Sequence, residues 1–256
     1  MEHIPPFRAM FFAAKIGFIT REIWREYFFE NANARVERRS WKQLIDRGYF
    51  MPHPNMRLKG VLILNRKKPL VLRTLQSIGL NKIVSAPYEK MVLHDELLGR
   101  GILEAEKSKL LLHWTTEAEL KSENLRQFRI GVEGKKSKYP DAILKYNLHG
   151  EYVLSAIEIE RTMKDQSRYK TIMSNYSHIK GVALLLFVTP NEAIRDAIRQ
   201  AATKSFFAPQ GMRVGFMDLT DWQKKPMGAA IDFKSERISL LDYLDQSVRG
   251  NGKLAA

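Results

Sequence analysis

Glu158 and Glu160 stand two residues apart at the end of the run Tyr152-Val-Leu-Ser-Ala-Ile-Glu158-Ile159-Glu160. If that run is a strand, its period of two puts Val153, Ser155, Ile157 and Ile159 on one face and Tyr152, Leu154, Ala156, Glu158 and Glu160 on the other. Two carboxylates then project together. Upstream, Tyr139-Pro140-Asp141-Ala-Ile-Leu-Lys-Tyr146 reads as a strand entered through a proline, and Leu148-His149-Gly150-Glu151 reads as the turn between the two. An antiparallel pairing would bring Asp141 to the same strand end. Like charges gathered there repel and are costly to desolvate unless a cation or basic side chains compensate them. Hard divalent ions such as Mg²⁺ or Mn²⁺ suit such an oxygen-rich setting. A plainer reading stays open beside it, in which Glu158 and Glu160 are surface acids balanced by Arg161, Lys164 and Arg168.

Other chemistries find less support. The chain has no cysteine, which excludes disulfides and thiolate metal sites. His94, His113, His149 and His178 lack the paired spacing of histidine metal sites. No glycine-rich phosphate loop, serine nucleophile motif or dinucleotide fingerprint is present.

The elements that must carry the acids are legible as alternating strands and helices. Thr115-Thr116 can cap a helix with Glu117 and Glu119 in its first turn, where acids suit the helix dipole. Gly181-Val-Ala-Leu-Leu-Leu-Phe-Val188 is an apolar run of the kind buried on both faces, followed by an amphipathic helix from Glu192 to Lys204. Met212 to Leu219 reads as a further strand. An α/β (α+β) domain with a mixed sheet follows.

The front of the chain has a different grammar. Phe7, Met10, Phe11 and Ala14 fall at helical spacing, with Gly17 able to end that helix and Thr20 able to cap the next, Arg21 to Phe29. After Asn31-Ala-Asn33, a third helix runs from about Ala34 to Arg47. Its buried stripe is expected to be Val36, Trp41, Leu44 and Ile45, and its other face shows Arg35, Arg38, Arg39, Lys42 and Arg47. Leu58 to Leu64 and Leu70 to Leu72 flank Asn65-Arg66-Lys67-Lys68-Pro69, the pattern of a β-hairpin with a charged tip.

Three helices and a basic hairpin resemble a winged helix-turn-helix from Phe7 to Leu72. The resemblance implies double-stranded DNA as partner, with Arg35, Arg38, Arg39 and Lys42 meeting the groove and Arg66, Lys67 and Lys68 on the wing. Charge agrees with this. Of a net +14, from 42 basic and 28 acidic residues, a surplus of nine lies between Arg35 and Arg73, where 11 basic residues meet Glu37 and Asp46. Winged helices also serve as protein-interaction modules, so an adaptor role stays open.

Pro140-Asp141, a hairpin and Glu158-Ile159-Glu160 resemble the PD-(D/E)XK nuclease superfamily, which has a restriction-endonuclease-like fold. That resemblance implies Asp141 and Glu158 as ligands of Mg²⁺ or Mn²⁺, and the Ile159 carbonyl as a further ligand. It also implies a helical acid upstream, Glu117 or else Glu119. Glu160 stands where the family has a lysine, so Lys164 or Lys170 would have to replace it, with Glu160 adding a ligand or acting as a base. Arg168, Tyr169 and Tyr176 follow nearby and could contact a phosphate backbone, with packing the preferred assignment for the two tyrosines.

Trp114 to Glu117, Pro140-Asp141-Ala142 and Glu158 to Arg161 together also resemble the replication-relaxation proteins of plasmids and other mobile elements, with Glu160 replacing an aspartate. Two readings result. One is a DNA-binding protein whose nuclease-like domain cuts DNA as a metal-dependent endonuclease. The other is a non-catalytic transcription or replication regulator whose α/β domain makes a homodimer or adds DNA contacts.

The expected organisation is a DNA-binding domain over 1–75, a connector over 76–109 with one helix (Tyr88 to Leu98, with Gly99 and Gly101 as stop signals), a nuclease-like domain over 110–246, and a loose tail over 247–256. The apolar run Met10 to Ile19, interrupted by Lys15, is about half of the ~20 residues a membrane span needs. No membrane partner is expected, and the reading is of a cytoplasmic protein.

Overall fold

The computed structural model of the chain describes residues 5–30, 33–55, 57–80, 82–130, 138–205, 209 and 211–251. Asn31 and Ala32 of the expected turn, most of the polar stretch before Lys138, and 252–256 lie outside the described residues. The chain divides into two compact units, Met1–Glu96 and Leu97–Ala256.

The first unit contains α1 (Pro5–Ile16), β1 (Ile19–Thr20), α2 (Arg21–Ile23) continued by a π-helical turn (Trp24–Phe28), α3 (Ala34–Asp46), β2 (Phe50–Pro52), β3 (Val61–Leu64) and α4 (Pro69–Ser77). The three strands form an antiparallel sheet in the order β1-β3-β2. The caps follow from residue type. Thr20 accepts the Ile23 N–H at 3.2 Å, and Asn33 accepts those of Arg35 and Val36 at 3.1 and 2.9 Å. Phe12, Phe18, Ile23, Trp24, Leu44, Phe50 and Leu75 form the buried interior.

The first unit departs from the sequence expectation in its hairpin and in the inward face of α3. The hairpin pairs Phe50–Pro52 with Val61–Leu64, so its connection is 53–60 and carries Arg57 and Lys59, both exposed. Leu70 to Leu72 belong to α4 instead. Pro69 stands at its first turn, where a missing N–H costs nothing, and the helix buries Val71 and Leu75. Val36 is also exposed. Glu37 takes the inward place, because Arg21 grips its carboxylate through two hydrogen bonds of 3.0 and 3.2 Å.

α5 (Glu89–Glu106) carries the chain into the second unit. It runs through Gly99 and Gly101, which therefore are not stops. A Cβ on Gly101 would lie 1.9 Å from the ring of buried Trp222, so this glycine permits close packing rather than a turn.

The second unit continues with β4 (Leu111–Thr116), α6 (Glu117–Ser122), β5 (Ala142–Leu148), β6 (Glu151–Ile159), α7 (Gln166–Tyr176), β7 (Leu184–Thr189), α8 (Glu192–Ser205), β8 (Arg213–Asp218), α9 (Leu219–Lys224), β9 (Ala230–Asp232), β10 (Arg237–Ser239) and α10 (Leu240–Asn251). Its seven strands form a mixed sheet in the order β10-β9-β8-β7-β6-β5-β4, parallel across β6-β7-β8 and antiparallel elsewhere. The fold is thus mixed α/β. One face, with Ile143, Ala156, Leu185, Phe187 and Phe216, is covered by Tyr169, Ile172, Met173 and Tyr176 of α7 and by Ile194 and Ile198 of α8. α10 packs against β5 and β6. It extends through 247–251, so the expected loose tail begins as helix. Among the described residues no helix is long and apolar enough to cross a membrane.

Candidate functional site

The β5-β6 hairpin turns through His149 and Gly150, both in the left-handed region at φ 54° and 86°. Two such residues match the twist of the flanking strands. Pairing from Leu148↔Glu151 to Ala142↔Ile157 places Asp141 and Glu158 one step beyond the last pair, on a common face. The Asp141 carboxylate accepts the Ile159 N–H at 2.8 Å. Asp141 thus bonds the backbone of β6 where the sheet ladder gives out, and β6 continues on its other side through Glu160 N–H to Val188 C=O at 2.9 Å.

Glu158 lies next to Phe187 in the sheet register, on the face covered by α7. Its carboxylate accepts the Lys138 ammonium at 2.7 and 3.0 Å and the Tyr176 hydroxyl on one oxygen. Burial pushes the Glu158 carboxyl up to about 7, against the opposing pull of the Lys138 charge and with the Asp141 charge adding to the rise. Burial acts to lower the Lys138 ammonium, but the charges of Glu158, Asp141 and Glu117 outweigh it and hold the pKa above the usual lysine range. Burial and then the Glu158 charge raise Tyr176 well above the ordinary phenol range, so the tyrosine is a fixed donor. Its ring meets Phe187 edge-on at 6.4 Å.

The remaining acids have other partners. Glu160 is buried and accepts the ammonium of Lys164, while the Lys164 N–H donates to the Tyr169 hydroxyl at 3.1 Å. Glu117 pairs with Lys121 at 2.8 Å, and its N–H donates to the Asp141 carbonyl at 2.9 Å. Glu119 closes a capping box with Thr116 and is thereby committed to the start of α6. Lys170 and Arg168 are exposed on α7. Among the described residues no three His, Cys, Asp or Glu side chains are grouped to hold a metal ion.

Asp141 and Glu158 are therefore brought to the same strand end, and the basic group there is Lys138, which pairs with Glu158 and feels the Asp141 charge. Sequence reasoning passed over this residue in favour of Lys164 and Lys170. The one available signal was its position three residues before Asp141. Tyr176, for which packing was the preferred assignment, also bonds the site.

In the first unit, Arg35, Arg38, Arg39 and Lys42 are all exposed along α3, with Arg38 Nε returning to the Ala34 carbonyl at 3.1 Å. Trp41 is half-buried, its ring 6.2 Å from that of Trp24. Arg66, Lys67 and Lys68, expected at the hairpin tip, lie instead in the turn between β3 and α4, where Arg66 bonds the carbonyls of Ile83 and Val84, Lys68 bonds the carbonyl of Arg47, and Lys67 is exposed.

No family model matches the chain, and no curated protein matches it. Among solved structures it is loosely similar to protein VC1899 from Vibrio cholerae, at 10% identity and a TM-score of 0.31 over 87% of this chain and 49% of that one. The chain spans about half the length of that protein.

Proposed function

We propose that this chain is a DNA-binding protein in which a winged helix-turn-helix holds duplex DNA and a restriction-endonuclease-like domain processes it with a divalent metal ion. The observation that carries the reading is the cross-strand meeting of Asp141 and Glu158, buried at a strand end, with a lysine paired to Glu158. The order α1, β1, α2, α3, β2, β3 and the exposed basic row of α3 support the DNA-binding half.

The donor set fits Mg²⁺ or Mn²⁺, since both groups are carboxylates and sulfur is absent. Asp141 and Glu158 would hold the ion, and Tyr176 keeps Glu158 oriented. Once bound, such an ion neutralises phosphate charge and makes a water easier to deprotonate. Lys138 supplies an ammonium beside the two acids for a phosphate oxygen, in place of the lysine that Glu160 displaces from the family pattern. Through the resemblance to replication-relaxation proteins, the setting is replication or transfer of a plasmid or other mobile element.

Duplex DNA incubated with Mg²⁺ or Mn²⁺ tests the proposal. The wild type should cut, Asp141→Ala should not, and equal absence of cleavage removes the enzyme. Binding should also weaken steeply with salt, by a log-log slope of about −0.9 for each phosphate neutralised, and replacing Arg38, Arg39 and Lys42 should flatten that slope.

A second reading, a non-catalytic regulator that dimerises through the α/β domain, is favoured by the internal neutralisation of Glu158 by Lys138 and of Glu160 by Lys164. It gives a DNA footprint that is indifferent to metal.

A further inference from the structure

Lys138 meets the site from a backbone pinned by reciprocal hydrogen bonds with Ile130, at 2.9 and 3.2 Å. Its side chain is 36% exposed, whereas that of Glu158 is 5% exposed. The lysine side chain therefore has one side toward solvent, while the carboxylate is enclosed. A carboxylate has about four lone-pair sites, and on Glu158 three contacts are already made, two by Lys138 and one by Tyr176.

We propose that Lys138 is a resident cation, occupying on Glu158 the place that a divalent metal ion would take, so that the site alternates between a lysine-closed and a metal-open state. The proposal rests on the metal-binding reading of Asp141 and Glu158. Charge makes the two states exclusive. With Asp141 and Glu158 ionised, the lysine leaves the cluster at a formal −1 and a divalent ion alone brings it to zero, whereas both together leave +1 in a poorly solvated place. Mg²⁺ also demands oxygen ligands at about 2.0–2.1 Å, a distance that an ammonium hydrogen-bonded to both oxygens of Glu158 obstructs. In the closed state the lysine prevents two buried carboxylates from standing uncompensated. In the open state it is released beside the site with its charge available to an anion.

Amine acetylation followed by mass spectrometry reads the two states in the whole chain. Without metal, Lys138 should label far more slowly than Lys107, whose ion pair with Glu104 lies at the surface and serves as reference. Millimolar Mg²⁺ alone should raise Lys138 labelling several-fold and leave Lys107 unchanged. In Asp141→Asn that response should disappear. Calorimetry on the same samples reports Mg²⁺ binding independently. Binding without any change at Lys138, or a lysine as reactive as Lys107 from the outset, overturns the inference and leaves the metal reading standing. A rise that persists in Asp141→Asn likewise overturns it. Absence of Mg²⁺ binding removes the metal reading, and the inference falls with it.

Discussion

Removing one partner of the Lys138–Glu158 pair should destabilise the second unit far more than removing both. Opposite unit charges about 3 Å apart attract by roughly 5–6 kcal/mol at an effective dielectric constant near 20. Desolvating Glu158 cancels most of that gain, and solvent reaching Lys138 screens part of the rest. With contacts of 2.7 and 3.0 Å, a net coupling of about 2 kcal/mol remains, in the range of hydrogen bonds to charged groups. Glu158→Gln keeps the shape and still accepts from Tyr176, but strands the ammonium. Lys138→Met strands the carboxylate. Urea denaturation of the wild type, both single variants and the double variant, in alkaline buffer where the Glu158 carboxyl is ionised and without metal, gives the coupling directly as the departure from additivity. Two single losses that merely add, to within about 0.5 kcal/mol, would refute the claim that the lysine compensates this acid.

Two further outcomes follow from the same geometry. The folded Glu158 carboxyl, at about 7, lies above the ordinary 4.5, so the folded state holds its proton more tightly. Its contribution is complete below about 4.5 and is lost as pH rises toward 7, at no more than about 1.4 kcal/mol per pH unit. The stability of the wild type relative to Glu158→Gln should therefore fall through that window and level off above it; a difference that does not vary with pH contradicts the assignment. Gly101→Ala should destabilise the second unit by about 2 kcal/mol or more in a urea titration. Overpacking costs about 1–3 kcal/mol or occasionally more, and a Cβ 1.9 Å from the Trp222 ring lies at the severe end of that range. That outweighs the ~1 kcal/mol that alanine ordinarily brings to a helix interior, and a stabilised variant would show that the contact is relieved without cost.

Local signals carried much of this architecture. His149-Gly150 between two apolar-rich runs marks a hairpin, and counting outward from the turn, residue against residue, sets Asp141 opposite Glu158 on one face. Thr116 with Glu119 three residues on marks a helix start. The misreadings arose where a short apolar run suits either element, or where the deciding neighbour is distant in sequence. Leu70 to Leu72 could be strand by composition, and Pro69 was the clue to helix. Gly101 resembles a stop until Trp222 is placed against it. Val36 lies on the apolar side of a helical wheel, yet Arg21 draws Glu37 inward instead. Lys138 has no periodicity to betray it, since a lysine in a polar stretch normally faces water and its pairing with Glu158 exists only once β5 and β6 are folded.

The bond from Asp141 to the Ile159 N–H gives this aspartate a scaffolding duty independent of any reaction. A descendant without Glu158 would still be held to an acid or amide there by the need to finish the sheet. Lys138 carries no such obligation through its ammonium once the acid it serves is gone. In descendants of this chain, the lysine should therefore change in step with Glu158, while the aspartate persists without either.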